Sequence, residues 1–124
     1  MAAPALRIVV VDDSVLYRKT ICTLIRKKAN LQVVAEADDG LAAIRAVEQH
    51  KPDVVLMDIS MPGLNGIDAT SIIKSKFPEV RIIILSMHDG HTFSKAAYRA
   101  GAFWCLSKGC SPRDIIQAIM TAGV

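Results

Sequence analysis

The residues able to do chemistry stand at four places: Asp12-Asp13-Ser14, Asp58-Ile59-Ser60, Ser86 and Lys108. Each place follows or closes a short apolar run. Three carboxylates, a hydroxyl and an ammonium would therefore meet if those runs lay side by side. Two carboxylates about 4 Å apart repel by roughly 4 kcal/mol at an effective dielectric of about 20, so three do not stay ionised together without a cation. Lys108 offsets part of that charge. The remainder suits Mg²⁺, a hard ion that takes oxygen ligands and keeps exchangeable waters. We assign Asp13 and Asp58 as direct ligands, Asp12 as acting through water, and the backbone carbonyl of Ser60 as completing the protein's share.

The elements that must position these groups are legible as alternation. Apolar runs at Leu6–Val11, Leu31–Ala37, 53–57, Arg81–Ser86 and 103–106 are mostly too solidly hydrophobic to leave one face in water, the mark of buried parallel strands. Helical spacing lies between them: Tyr17, Ile21, Leu24 and Ile25 share a face, as do Leu41, Ile44 and Val47, then Ala69, Ile72, Ile73 and Phe77. A shorter amphipathic piece over 92–100 closes on Tyr98, and Ile115, Ile116 and Ile119 mark a last helix. Its start is well signalled, with Ser111 as cap, Pro112 at the first helical position and Asp114 where a capping-box acid belongs. Lys51-Pro52 and Gly101 supply helix stops. Five β-α units with right-handed crossovers predict an α/β three-layer sandwich, whose strand ends converge on one crevice where strand order reverses.

A length of 124 residues fits one domain, and 52% hydrophobic against 22% charged residues exclude a disordered chain. A net charge of +3 is too mild to imply nucleic acid. The basic run Arg26-Lys27-Lys28 closes the first helix, where cations complement the dipole, and reads as solvated surface. No apolar run approaches the roughly 18 residues of a membrane span, and the first residues lack the pattern of a secretion signal, so a cytoplasmic location is the expectation. Cys22, Cys105 and Cys110 form neither an even disulfide set nor a metal pair and read as buried or inert thiols.

Taken singly, each chemical residue has a plainer reading. Asp12-Asp13 would cap a helix, Asp58 would precede the Pro62-Gly63 turn, Ser86 would end a strand, and Lys108 would be surface. Their joint arrival at the ends of strands one, three, four and five argues for a site. Together with the run from Pro52 to Gly63, Gly66 and Gly101-Ala102, they make the sequence resemble the receiver domain of a two-component response regulator over essentially its whole length. The stretch from Lys108 through Ser111-Pro112 to Ile119 is similar to receivers of the NarL/LuxR type, which usually precede a helix-turn-helix output domain.

The resemblance implies a flavodoxin-like (βα)5 fold with sheet order 2-1-3-4-5, and a receiver spanning residues 1–124 with any DNA-binding output domain beyond them. It implies that Asp58 accepts a phosphoryl group from a phosphohistidine on a sensor histidine kinase, with Mg²⁺ and Lys108 neutralising charge. Ser86 becomes the switch hydroxyl. Ser60 and His88, two residues after Asp58 and Ser86, border the path of the hydrolytic water and are expected to set phosphoryl lifetime. Val15, Leu16 and Tyr17 would help dock the kinase, although Tyr17 also fits the core face. The last helix and the face of His91–Ala100 are candidates for a homodimer. The family's aromatic switch position, three before the lysine, holds Cys105, and strand alternation keeps adjacent Trp104 from replacing it automatically. Gly109 stands where the family often has proline.

Three functions compete. The favoured one is a phosphoacceptor switch controlling an output, chiefly transcription, with at most its own phosphotransfer and slow dephosphorylation as catalysis. A phosphatase of the haloacid-dehalogenase type would need a second Asp two residues after Asp58, where Ser60 stands, and no phosphate-binding glycine loop supports a flavodoxin-like enzyme. A phosphorylation-independent module would be favoured by loss of Asp58 or Lys108; both are present.

Overall fold

Strands of solid Val, Ile and Leu need apolar cover on both faces, and the chain supplies it with helices after every strand. The computed structural model describes residues 4–87 and 91–123, with the backbone alone for 91–93. The elements run β1 Leu6–Val11, α1 Val15–Arg26, β2 Leu31–Ala37, α2 Gly40–His50, β3 Val54–Asp58, α3 Gly66–Lys76, β4 Arg81–Ser86, α4 His91–Ala100, β5 Trp104–Ser107 and α5 Pro112–Ala122. All strand pairs are parallel, in the order β2-β1-β3-β4-β5. β3 and β5 each lie one residue later than the apolar runs suggest, because pairing carries Asp58 opposite Leu85 and Ser107 opposite Ser86.

Alternation along the strands splits the core in two. Val9, Val11, Val55, Met57, Ile82 and Ile84 pack with residues of α2, α3 and α4. Ile8, Val10, Leu56, Ile83 and Leu85 pack with α1 and α5 through Ile21, Ile25, Ile115 and Ile119. Two expected core positions fall outside. Leu41 is 56% exposed and Tyr98 47%, and the buried residues of α2 are Gly40, Ala43, Ala46 and Val47. Small residues win there because α2 lies close to α3 and to the turn that precedes it, where a side chain at Gly40 would overlap the Leu64 carbonyl.

The helix ends obey local chemistry. Ser111 and Asp114 form the reciprocal capping box with Pro112 in the first turn. Lys51 stops α2 at φ 47°, and Gly101 follows α4 at φ 111°. The Lys108–Gly109 peptide is trans. No helix among the described residues is long and apolar enough to cross a membrane.

Candidate functional site

The central strands bring the acids together. β1 and β3 are neighbours in the register Val11↔Met57, so the next residue of each, Asp12 and Asp58, emerges side by side at the carboxyl edge of the sheet. The backbone N–H of Asp12 donates to the Ala37 carbonyl at 3.0 Å, which continues the pairing with β2 one step past the strand. From the other side β5 pairs with β4 as far as Ser86↔Ser107. The N–H of Lys108 then donates to the Ser86 carbonyl at 2.8 Å, fixing the start of the lysine side chain.

The helix after β1 is capped by Ser14, whose Oγ accepts from the Tyr17 N–H, while Asp12 Oδ1 accepts from the Ser14 N–H at 2.9 Å. The simple capping reading of Asp12-Asp13 is thereby set aside: neither acid caps the helix. Asp12 and Asp58 are buried at 2% and 4% exposure, whereas Asp13 is exposed. One oxygen of each lies within 4.8 Å of the others. Lys108 Nζ is 2.6 Å from Asp12 Oδ2 and 3.3 Å from Asp58 Oδ1.

Charge in this pocket is poorly balanced. Burial, and next the Asp12 carboxylate, push Asp58 up to about 6, against the pull of Lys108. Burial alone would lower Lys108, but its bonds to Asp12 and Asp58 raise it, so the ammonium stays charged. The donor set is entirely hard oxygen, partly open through Asp13, and retains more negative charge than one ammonium offsets. That chemistry fits a divalent hard cation such as Mg²⁺.

The remaining predicted residues fall as follows. Ser86 is buried at 4% exposure where β4 ends. Ser60 is exposed, two residues past Asp58. His88 lies outside the described residues. Cys105 faces the core layer of α2 to α4, whereas Trp104, 49% exposed, lines a groove with Leu106, Gln117, Ala118 and Thr121 of the α5 side. Alternation therefore separates the two, as expected, and Trp104 does not occupy the place of an aromatic at 105. Burial pushes the thiols of Cys22, Cys105 and Cys110 up, which keeps them protonated and poorly nucleophilic. Val15 and Leu16 are exposed at 59% and 81%.

Two residues, Arg18 and Gly66, support the site in ways that the sequence reading did not assign. Arg18 donates from NH1 to the Asp12 carbonyl at 2.7 Å and from Nε to Glu36 at 3.0 Å, tying the loop after β1 to β2. Burial would raise Glu36, but hydrogen bonds from Lys19 and Arg18 hold it below the usual carboxylate range. Gly66 is the second: its N–H donates to the Ile59 carbonyl at 2.9 Å, and a Cβ there would overlap the Asp58 carbonyl. An arginine one turn into the helix and a glycine opening α3 were the available signals.

A parallel sheet in the order 2-1-3-4-5 with two buried aspartates and a lysine at its carboxyl edge defines a CheY-like receiver fold. The chain belongs to the response regulator receiver domain family, whose model matches residues 8–120. It is 34% identical over 92% of its length to the transcriptional regulatory protein DegU of Brevibacillus brevis, and covers 48% of that protein. It is 37% identical to the oxygen regulatory protein NreC of Staphylococcus haemolyticus, over 94% of this chain and 54% of that one. Among solved structures, the signal receiver domain of the putative response regulator NarL from Mycobacterium tuberculosis superposes with a TM-score of 0.92 at 32% identity, covering 98% of both chains. A two-component response regulator of the LuxR family from Aurantimonas sp. superposes with a TM-score of 0.90 at 38% identity, covering 94% of this chain and 84% of that one. The chain is thus a signalling receiver homologous to transcriptional regulators, and it spans about half the length of the curated relatives it matches.

Proposed function

We propose that Asp58 is the phosphoacceptor of a switch charged by a sensor histidine kinase. The observation that carries this is the Asp58 carboxylate itself: buried, pushed up to about 6, and 3.3 Å from the Lys108 ammonium. An Asp58 oxygen attacks phosphorus, the new O–P bond forms as the P–N bond to histidine breaks, and the histidine nitrogen leaves with the electron pair. Lys108 faces the developing charge, and Asp12 holds Lys108. Asp13 and Asp58 would be direct ligands of Mg²⁺, with Asp12 acting through water and the Ser60 carbonyl completing the set. When bound, Mg²⁺ supplies neutralising charge for the phosphoryl oxygens. Ser86 would act as the switch hydroxyl, and Ser60 and His88 would set the lifetime of the aspartyl phosphate. No side chain is placed as a second acid two residues after Asp58, which favours a switch with slow self-dephosphorylation over a phosphatase.

The whole protein would be a cytoplasmic transcription regulator. Residues 1–124 form the receiver, a DNA-binding output domain follows beyond them, and a homodimer forms on phosphorylation. The length and names of the relatives support the output domain and the role in transcription. The test is intact mass after incubation with Mg²⁺ and acetyl phosphate. One phosphoryl adduct, abolished by Asp58→Asn, is expected. No adduct from acetyl phosphate or a phosphorylated kinase overturns the reading in favour of a phosphorylation-independent module, and rapid multiple turnover of phosphate esters overturns it in favour of a phosphatase.

A further inference from the structure

Lysine carries its charge on a flexible four-carbon stem, so two carboxylates alone leave it room to swing. Lys108 is also bordered by a groove of about 540 Å³ between α1 and α5, lined by Leu16, Tyr17, Cys110 and Pro112, into which its side chain also faces. What lies against the ammonium there is an aromatic face: Lys108 Nζ sits 4.5 Å from the centroid of the Tyr17 ring. That is well inside the roughly 6 Å range of a cation–π contact, which strengthens where water is excluded, and the Lys108 side chain is only 9% exposed. The ring is set by the same loop that sets the acid, through Tyr17 N–H to Ser14 Oγ and Ser14 N–H to Asp12 Oδ1.

We propose that Tyr17 is a positioning residue for phosphoryl transfer, its ring face holding the Lys108 ammonium against Asp12 and Asp58 so that the cation is already aimed when phosphorus arrives. This rests on the phosphoacceptor reading above. Packing and the contact with the ammonium make separate demands on this position, and the second falls on the ring face. Any large apolar side chain would fill the α1 face, and the Tyr17 hydroxyl is buried with no hydrogen-bond partner among the described residues, a cost that phenylalanine would avoid. The ring, not the hydroxyl, is the part in use.

Two variants separate these roles: Tyr17→Phe keeps the π face, and Tyr17→Leu keeps apolar bulk without it. In the metal-free protein, NMR resonances of the Lys108 Hε protons lie upfield through the ring current in wild type and Tyr17→Phe, and move to ordinary values in Tyr17→Leu. With acetyl phosphate and saturating Mg²⁺, the maximal phosphorylation rate falls about three- to tenfold in Tyr17→Leu and stays within about twofold in Tyr17→Phe. Mg²⁺ affinity is unchanged in both. In a Lys108→Ala background, Tyr17→Leu slows the reaction no further, since the two residues act as one unit. An equal loss with and without Lys108, or Hε shifts that ignore Tyr17→Leu, overturns the proposal. Should Tyr17→Leu unfold, Tyr17→Met takes its place. A wild-type protein that takes no phosphoryl group overturns the phosphoacceptor reading instead, and the ring-current comparison then decides alone whether the ring holds Lys108.

Discussion

Lys108 is closer to Asp12 than to Asp58, 2.6 Å against 3.3 Å. The tighter charge-assisted bond goes to Asp12, and the looser one to Asp58, the proposed phosphoacceptor. Asp12 acts on Asp58 in two ways at once: it repels the neighbouring carboxylate directly, and it draws the shared ammonium away.

Both effects raise Asp58, so Asp12→Asn is expected to lower it. A pH titration of the Asp58 carboxyl carbon by NMR in metal-free protein should move from a midpoint near 6 in wild type to one well below it. An unchanged midpoint would mean that burial alone sets the value.

Stability should follow the same charge. A carboxyl raised from an ordinary value of about 4 to about 6 holds its proton in the native state while the unfolded chain releases it. Its contribution therefore declines as pH climbs through that window, and above about 6 the buried charge costs of the order of 3 kcal/mol. Without metal, Asp58→Asn should melt several degrees higher than wild type at pH 7.5 and no higher near pH 4. Asp13→Asn should give a smaller rise at neutral pH, because Asp13 is exposed. Saturating Mg²⁺ should reverse the order, raising wild type by mass action and leaving Asp58→Asn behind. A lower metal-free melting temperature for both variants would contradict the strained cluster.

Most of this arrangement could be read from the letters. Runs such as Ile82-Ile83-Ile84-Leu85 admit only a strand covered on both faces, and a polar residue at the end of such a strand has one edge of the sheet to occupy. The capping box at Ser111 was equally legible because its parts lie within four residues. What escaped depends on how elements lean on each other. No spacing says that α2 approaches α3 closely enough to bury Ala43 and Ala46 while leaving Leu41 in water. Nor does any spacing say that Lys108 prefers Asp12, or that the Tyr17 ring ends beside an ammonium 91 positions along the chain.

Gly66→Ala tests the support beneath Asp58. The added methyl would overlap the Asp58 carbonyl oxygen, so either β3 or α3 must shift. Urea denaturation should show a loss of at least about 2 kcal/mol, and phosphoryl uptake should drop with it. A variant as stable as wild type would show that α3 slides freely.

Arg18→Met tests the loop that carries the acids. It removes the donor to the Asp12 carbonyl and one of the partners of Glu36, which keeps its contact with Lys19. The expected loss is about 1–2 kcal/mol by chemical denaturation. An exposed ion pair of no structural consequence would lose nothing measurable.

The Lys108–Asp12 bond joins residues 96 positions apart, and Asp58 comes from between them. Closing a loop of that span costs entropy before the contact can form. A chain whose final strand has not docked would display its aspartates without their counter-charge. Under the proposed phosphoacceptor reading, the site is whole only once the last strand has taken its place in the sheet.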